Sequence, residues 1–240
     1  MVLKEYSFVY ATSNIRDGNM DFRFGEREEA VENRRRFLTK HDARLEDCAV
    51  MQVEYGERIV VVEEKFRGKG AFDGSAVPAE AFITREKNLV LFLLTADCLP
   101  IAYYDPVRHI AALAHLGWQP STKRLASKVV KALKNNFSSN PNDLKIFIGP
   151  GIHKESYRFA NPTQKNIPEW SPYLHDLPSG ETEIDLVGYN VEELKRAGVV
   201  EANIAVSPVD TAASSEHFSH YRSVRTEEPE GRFATVLGMR

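Results

Sequence analysis

Short apolar runs bounded by turn residues recur along the chain, and the densest of them lie near its centre. The uninterrupted run LVLFLL at 89–94 indicates a buried strand. Two further strands follow, PIAYY at 100–104 and HIAALAHLGW at 109–118, with Asp-Pro-Val-Arg at 105–108 as the turn between them. The pattern therefore predicts a β-hairpin in the interior of a sheet.

The remaining helices and strands are predicted from the spacing of apolar residues and from the turn and stop residues between them. Helices are expected where apolar residues, charges or stop signals follow the helical pattern, at 26–41, 123–137 and 189–198. Further strands are expected at 6–13, at 144–152, at 202–210 and twice within 48–64, on either side of Gly56. The glycine-rich stretch 66–78 is expected to be a loop, and the last thirty residues carry few periodic signals. Because strands and helices do not alternate regularly, we predict an α+β fold in one domain, 1–240.

Composition narrows the class of protein. Apolar residues make up 42 % of the 240 positions and charged residues 27 %, the balance of a globular domain. The net charge of −3, with both signs interspersed, predicts no nucleic-acid or membrane partner. The beginning of the chain lacks a signal-peptide pattern, so we expect a cytoplasmic protein with two free thiols, Cys48 and Cys98.

Cys98 and His115 are the leading candidates for chemistry. If 105–108 is a four-residue turn, Tyr104 pairs with His109, and counting outward places Cys98 opposite His115. A free cysteine is most often a small buried apolar residue, but a thiol facing an imidazole has two other uses. The histidine can activate the thiol as a nucleophile, or both side chains can bind zinc.

Two neighbours of this pair have open roles. Asp97 ends an apolar run, where it either caps a loop or orients a base and accepts a hydrogen bond from substrate. Trp118 is either a core aromatic residue or a wall on which a flat ring stacks.

With these residues in view, the chain resembles the laccase-domain family, also named multicopper polyphenol oxidases, YfiH-like proteins or purine nucleoside phosphorylases. The most specific matches are Thr-Ala-Asp-Cys at 95–98 and His-Leu-Gly-Trp at 115–118. Further matches extend over nearly the whole chain: Gly18-Asn19, Asn33-Arg34, Gly149-Pro150, Ile184-Asp185-Leu186, Asn190, Ala197-Gly198-Val199, Asp210-Thr211-Ala212, Phe218, Tyr221-Arg222 and Gly231-Arg232.

The resemblance implies a four-layer α/β/β/α sandwich, also likened to the catalytic domain of cytotoxic necrotizing factors, and a zinc site of two histidines and one cysteine. Cys98 and His115 match two of these ligands. Tyr55 stands at the place of the other histidine, or Glu54 if one residue is inserted. Other departures from the family pattern are Glu80 for an aspartate, Gln119 for an arginine and Ser156 for a cysteine.

The function implied is phosphorolysis of the N-glycosidic bond of a purine nucleoside, with the nucleoside and phosphate as small-molecule partners. Cys98 and His115 would form the centre, with or without zinc, assisted by Asp97. Trp118 would contact the substrate, and Arg34 or Arg222 would meet phosphate. A cysteine hydrolase or amidase, for instance on a peptidoglycan precursor, and a ligand-binding protein that has lost catalysis are the alternatives. Copper-dependent phenol oxidation ranks lowest because the seven histidines are mostly scattered, and the oligomeric state stays open.

Overall fold

The computed structural model describes residues 8–240, which form two large sheets, one small sheet and five α-helices. The strand predicted at 6–13 is present as Phe8–Thr12. Positions 6 and 7 of the prediction lie outside the described residues. No helix within 8–240 has the length and apolar character needed to cross a bilayer.

The first large sheet has five strands and is centred on the last strand of the chain. Its strands are β1 (Phe8–Thr12), β2 (Cys48–Gln52), β4 (Val77–Pro78), β6 (Val90–Thr95) and β14 (Phe233–Met239). Their order is β1-β14-β6-β2-β4, and β14 is antiparallel to both of its neighbours. Every residue of β14 is buried. This strand lies within the last thirty residues, which carry few periodic signals because a strand covered on both faces has no polar alternation.

The second large sheet has six strands and contains the predicted hairpin. Its strands are β3 (Ile59–Val61), β5 (Ala81–Thr84), β7 (Leu99–Asp105), β8 (Ile110–Leu116), β9 (Lys145–Ile148) and β13 (Ile204–Val206). Their order is β13-β9-β7-β8-β5-β3. The hairpin of β7 and β8 is therefore the centre of the sheet, and all fourteen of its strand residues are buried.

The helices and a small sheet complete the described fold. The helices are α1 (Arg27–Thr39), α2 (Trp118–Thr122), α3 (Leu125–Phe137), α4 (Leu186–Arg196) and α5 (His220–Ser223). The small sheet contains β10 (Arg158–Phe159), β11 (Leu174–Asp176) and β12 (Thr182–Ile184). The helix predicted at 123–137 is thus preceded by a separate short helix, and Arg124, whose φ is 59°, breaks the path between them.

Three apolar clusters show how the layers stack. Phe37 of α1 packs in one cluster with Phe92 and Val236 of the first sheet. A second cluster joins the two large sheets, and a third joins the second sheet to α3 and α4. The order of layers is therefore helix, sheet, sheet, helices, which confirms the predicted α+β sandwich.

Candidate active site

The hairpin sets the positions of Cys98 and His115, and its register differs from the predicted one. Pro100, not Cys98, pairs with His115, and Asp105 pairs with Ile110. The prediction that Cys98 lies directly opposite His115 is therefore wrong, by two residues. The turn comprises residues 106–109 because Asp105 remains in the strand, and its carboxylate accepts hydrogen bonds from the backbone N–H groups of Val107 and Arg108.

A shift of two residues leaves both side chains on the same face of the sheet, because side chains alternate with a period of two. The thiol of Cys98 remains within hydrogen-bonding reach of the His115 imidazole. Gly117 gives the thiol its space: a Cβ at this position would lie 2.9 Å from Sγ of Cys98. Cys98 is half-buried and His115 is buried. The two side chains thus form a contact pair at the end of the hairpin.

Glu80 fixes the imidazole from the other side. One carboxylate oxygen, Oε2, lies 2.7 Å from Nδ1 of His115, and the backbone N–H of His115 donates to the Glu80 carbonyl at 2.8 Å. The second carboxylate oxygen accepts from the backbone N–H groups of Glu54 and Gly56. Since Nδ1 is engaged by Glu80, Nε2 is the ring nitrogen that remains for Cys98. The three side chains form one hydrogen-bonded series.

His115 and Glu80 stabilise each other's charged forms. Burial, the largest influence on the pKa of His115, lowers it, but Cys98 and Glu80 together raise it to about 9. Burial likewise raises the pKa of Glu80, yet the hydrogen bonds and charge of His115 and the two backbone donors bring it below its usual value. Near neutral pH, His115 is therefore an imidazolium that faces the Glu80 carboxylate.

Tyr55 stands beside His115, on the loop that Glu80 holds. Its backbone φ is 58°, and its ring packs edge-on against the imidazole with 5.7 Å between centroids. The side chain is about half exposed, at 51 %. Lys123 donates to the backbone carbonyl of Tyr55 at 2.9 Å. The loop thus brings residue 55 next to the Cys98–His115 pair.

The donor set does not fit a three-ligand zinc site. Within residues 8–240, no group of three His, Cys, Asp or Glu side chains is arranged to hold a metal ion. Both carboxylate oxygens of Glu80 are already engaged, and the candidate third ligand is a tyrosine, whose phenol is ordinarily neutral. Cys98 and His115 are the two ligands present, and a two-ligand site holds zinc weakly. No catalytic step is therefore assigned to a metal here, and zinc stays a prediction.

Asp97 lies next to Cys98 but is occupied by the protein itself. Its backbone is left-handed, with φ of 81°, and its carboxylate is buried. One oxygen accepts from the Thr211 hydroxyl at 2.7 Å, and the other accepts from the backbone N–H of Tyr221 at 2.6 Å. Asp97 thus fastens the loop of Thr211 and helix α5 beside the cysteine. A direct contact of its carboxylate with substrate stays a prediction.

These groups open into one cavity of about 450 Å³. Its walls contain the Cys98–His115 pair, aromatic rings and guanidinium groups. Trp118, the first residue of α2, is one of the lining residues, as are Tyr55 and Asp97. Three more rings, from Tyr157, Phe159 and Tyr221, pack edge to face against one another. The cavity is large enough for a small aromatic ligand.

Comparison with known proteins identifies the family. The model of the family described as multi-copper polyphenol oxidoreductase laccase matches residues 9–240. The chain belongs to this family. The protein is 30 % identical to the purine nucleoside phosphorylase YlmD of Geobacillus stearothermophilus over 230 residues, 92 % of this chain and 83 % of that protein. The crystal structure of YlmD from that organism superposes with a TM-score of 0.90 at 28 % identity, covering 98 % of this chain and 92 % of the other.

Of two further relatives, one carries the same name and the other a different one. The purine nucleoside phosphorylase YlmD of Bacillus subtilis is 28 % identical over 219 residues, 88 % of this chain and 78 % of that protein. The adenosine deaminase RL5 from an unknown prokaryotic organism is 27 % identical over 200 residues, 80 % of this chain and 75 % of that protein. The family resemblance drawn from the sequence motifs is therefore confirmed.

The two arginines proposed for phosphate lie away from this cavity's lining. Arg34 is a buried residue of α1, and it donates to the backbone carbonyls of Met20, Gly70 and Ala71. Arg222 donates to several backbone carbonyls between Thr211 and His217, and also pairs with Glu228. Both side chains thus hold loops together. The sequence motif that marks them does not separate such a role from ligand binding.

Sequence reasoning missed other residues of the site, both behind the cavity lining and within it. Glu80 was noticed as an acidic position but given no role, although an acid ahead of a strand that pairs with the histidine strand is a signal for it. The arginines in the lining are Arg23, Arg225 and Arg232. Gly231-Arg232 belongs to the matching motifs, whereas nothing in the sequence singled out Arg23 or Arg225.

Proposed function

We propose that this protein is a purine nucleoside phosphorylase-type enzyme, which cleaves the N-glycosidic bond of a nucleoside with phosphate. The observation that carries the proposal is one cavity lined by Cys98, His115, aromatic rings and guanidinium groups, with Glu80 hydrogen-bonded to His115 behind the lining. The names of the YlmD relatives support the same substrate class. A purine ring requires flat apolar walls, and phosphate requires cations, so the lining suits both partners.

The roles follow from the charges. Phosphate attacks the anomeric carbon of the sugar while the bond to the purine breaks, and the bonding electron pair leaves with the purine. The Cys98–His115 pair supplies the proton that the departing purine takes up, and the Glu80 carboxylate stabilises the imidazolium beforehand. Trp118 provides a face for the purine. Phosphate itself is the nucleophile, so no covalent enzyme intermediate is required.

The test is release of free purine from adenosine, inosine and guanosine, followed by chromatography with and without phosphate. Phosphate-dependent release is expected, and Cys98→Ala and His115→Ala should each abolish it. Cys48→Ala is the matched control, since Cys48 is a thiol buried in the cluster between α1 and the first sheet. Absence of base release under all conditions would contradict the proposal.

A second candidate, a thiol hydrolase or amidase, is favoured by one specific observation. A carboxylate, an imidazole and a thiol in hydrogen-bonded series are the parts of a nucleophilic triad, and a third metal donor is missing from the described residues. The Cys98 sulfur would attack an amide carbonyl carbon, the amine would leave with a proton from His115, and water would hydrolyse the thioester. Ammonia or amine release that depends on Cys98, without base release, would favour this candidate. Neither activity, in a protein that still binds nucleoside, would leave the ligand-binding alternative.

A further inference from the structure

Arg225 differs from the other arginines of the cavity because no carboxylate neutralises it. Within the described chain it takes part in no ion pair, whereas Arg23 pairs with Asp21, and Arg232 pairs with Glu230. One of its nitrogens, Nη1, donates to the Tyr221 carbonyl at 2.9 Å. A guanidinium carries five N–H donors, so most of those on Arg225 remain for a ligand.

The side chain is nevertheless held in place. Its Cζ lies 3.5 Å from the centroid of the Tyr221 ring and 5.1 Å from that of Phe159, which fixes the plane of the guanidinium by stacking. Tyr221 is in turn fastened to Asp97 by its backbone N–H, at 2.6 Å. Arg225 is therefore joined to the residue next to Cys98 through a single intermediate. A preformed cation of this kind loses little entropy when an anion binds.

The electrostatic balance of the lining is positive. Arg23 and Arg232 both lie near the ring of Phe24, with their Cζ atoms 5.5 and 4.6 Å from its centroid, so the two guanidinium groups are neighbours. Among the described residues that line the cavity, Asp97 is the only one with a carboxylate, and both of its oxygens already accept hydrogen bonds. An anion entering the cavity therefore meets one guanidinium without an ion pair, two that are salt-bridged, and no free carboxylate of the lining.

We infer that Arg225 is the central residue of a phosphate-binding subsite in this cavity, whose lining also contains the salt-bridged Arg23 and Arg232. The ligand is a phosphate dianion, bound by the free N–H groups of the Arg225 guanidinium in a fork-like contact. If the proposed phosphorolysis holds, this is inorganic phosphate as co-substrate. The same chemistry would also bind the phosphate ester of a nucleotide.

The subsite is tested by calorimetric titration of inorganic phosphate, adenosine 5′-monophosphate and adenosine into the full chain at constant ionic strength. The variants are Arg225→Gln, Arg225→Lys and, as matched control, Arg108→Gln, because Arg108 is exposed in the turn at the opposite end of the hairpin. Arg225→Gln should weaken phosphate binding at least about tenfold, with Arg225→Lys intermediate and the control unchanged. The affinity for adenosine should stay unchanged in all variants. Thermal unfolding of each variant confirms that the fold is intact.

The outcomes separate the subsite from the reaction. Weakened inorganic phosphate binding in Arg225→Gln supports the subsite, even in a protein that shows no phosphorolysis. If only the monophosphate binds, and loses its advantage over adenosine in Arg225→Gln, the subsite stands as a nucleotide phosphate site and the proposed phosphorolysis fails. Equal phosphate affinity in wild type and Arg225→Gln, or no binding of either phosphate ligand to the wild type, would overturn the inference.

Discussion

Glu80 holds His115 at two points, through its carboxylate at Nδ1 and through its backbone carbonyl at the histidine N–H. The same carboxylate binds the backbone of the loop that carries Tyr55. One acidic residue therefore sets the orientation of the imidazole and the position of the neighbouring loop. A carboxylate that is hydrogen-bonded to one ring nitrogen of a histidine fixes the tautomer of the ring and raises its basicity.

Replacing Glu80 by Gln should lower kcat/KM for base release about 10- to 100-fold. The amide keeps the shape of the side chain but removes the charge that stabilises the imidazolium, so the pKa of His115 should fall. The alkaline limb of the pH profile should accordingly move to lower pH. Glu28→Gln on α1 is the control, and an unchanged pH profile in Glu80→Gln would contradict the assigned role.

Stability should depend on the protonation of His115. Because its pKa in the fold, about 9, lies above the ordinary value of 6.5, folding favours the protonated form. The contribution is fully present below about pH 6.5 and is lost as the pH rises through about 9. Urea unfolding at pH 6, 8 and 10, with a chelator present, should show the wild type losing its advantage over His115→Gln at the highest pH. A constant difference between the two proteins across that range would refute this.

The two cysteines should react at very different rates. Cys98 is half-buried at the cavity beside a cationic imidazole, whereas Cys48 is fully buried and burial raises the pKa of its thiol. Iodoacetamide should therefore modify Cys98 in the native protein well before Cys48, as followed by peptide mass spectrometry. His115→Ala should slow the reaction at Cys98. Comparable rates at both thiols in the folded protein would be evidence against an activated Cys98.

Tyr55→His should create a third metal ligand. The loop already places residue 55 against the His115 ring, and an imidazole there would join Cys98 and His115 as a three-ligand zinc site. We expect substoichiometric zinc in the wild type and higher occupancy in Tyr55→His, measured by elemental analysis. Tyr55→Phe, which removes the hydroxyl and adds no ligand, should not gain metal. One tightly held zinc per chain in the wild type would show that an unidentified ligand completes the site.

The sequence was sufficient for the local parts of this molecule. The hairpin, α1 and α3 each bury an apolar pattern that is visible over a short window, and the 95–98 and 115–118 motifs located the Cys98–His115 pair. The register of the hairpin was missed because it depends on whether Asp105 ends the strand or enters the turn. Its side chain decides this by binding two backbone N–H groups of the turn.

Contacts between residues far apart in the chain could not be predicted from the sequence. Arg34 and Arg222 are charged residues within matching motifs, but only their partners, which are backbone carbonyls of distant loops, show that they secure the fold. Arg225 carries no motif at all, and its place depends on Tyr221 and Asp97. Glu80 likewise gains its role from a strand pairing that brings β5 beside β8.

The pairing of β1 with β14 also has a consequence for the order of folding. The Thr12 and Thr235 hydroxyls meet across 223 positions of the chain, and Asp97 reaches Tyr221 across 124. Closing such loops costs more conformational entropy than closing a hairpin, so these contacts slow folding. We therefore expect Cys98 and His115 to be joined early by a local turn, and the wall that carries Arg225, fastened to Asp97 through Tyr221, to dock later. During refolding, the Cys98 thiol and the His115 imidazole should be brought together before the cavity around them is complete.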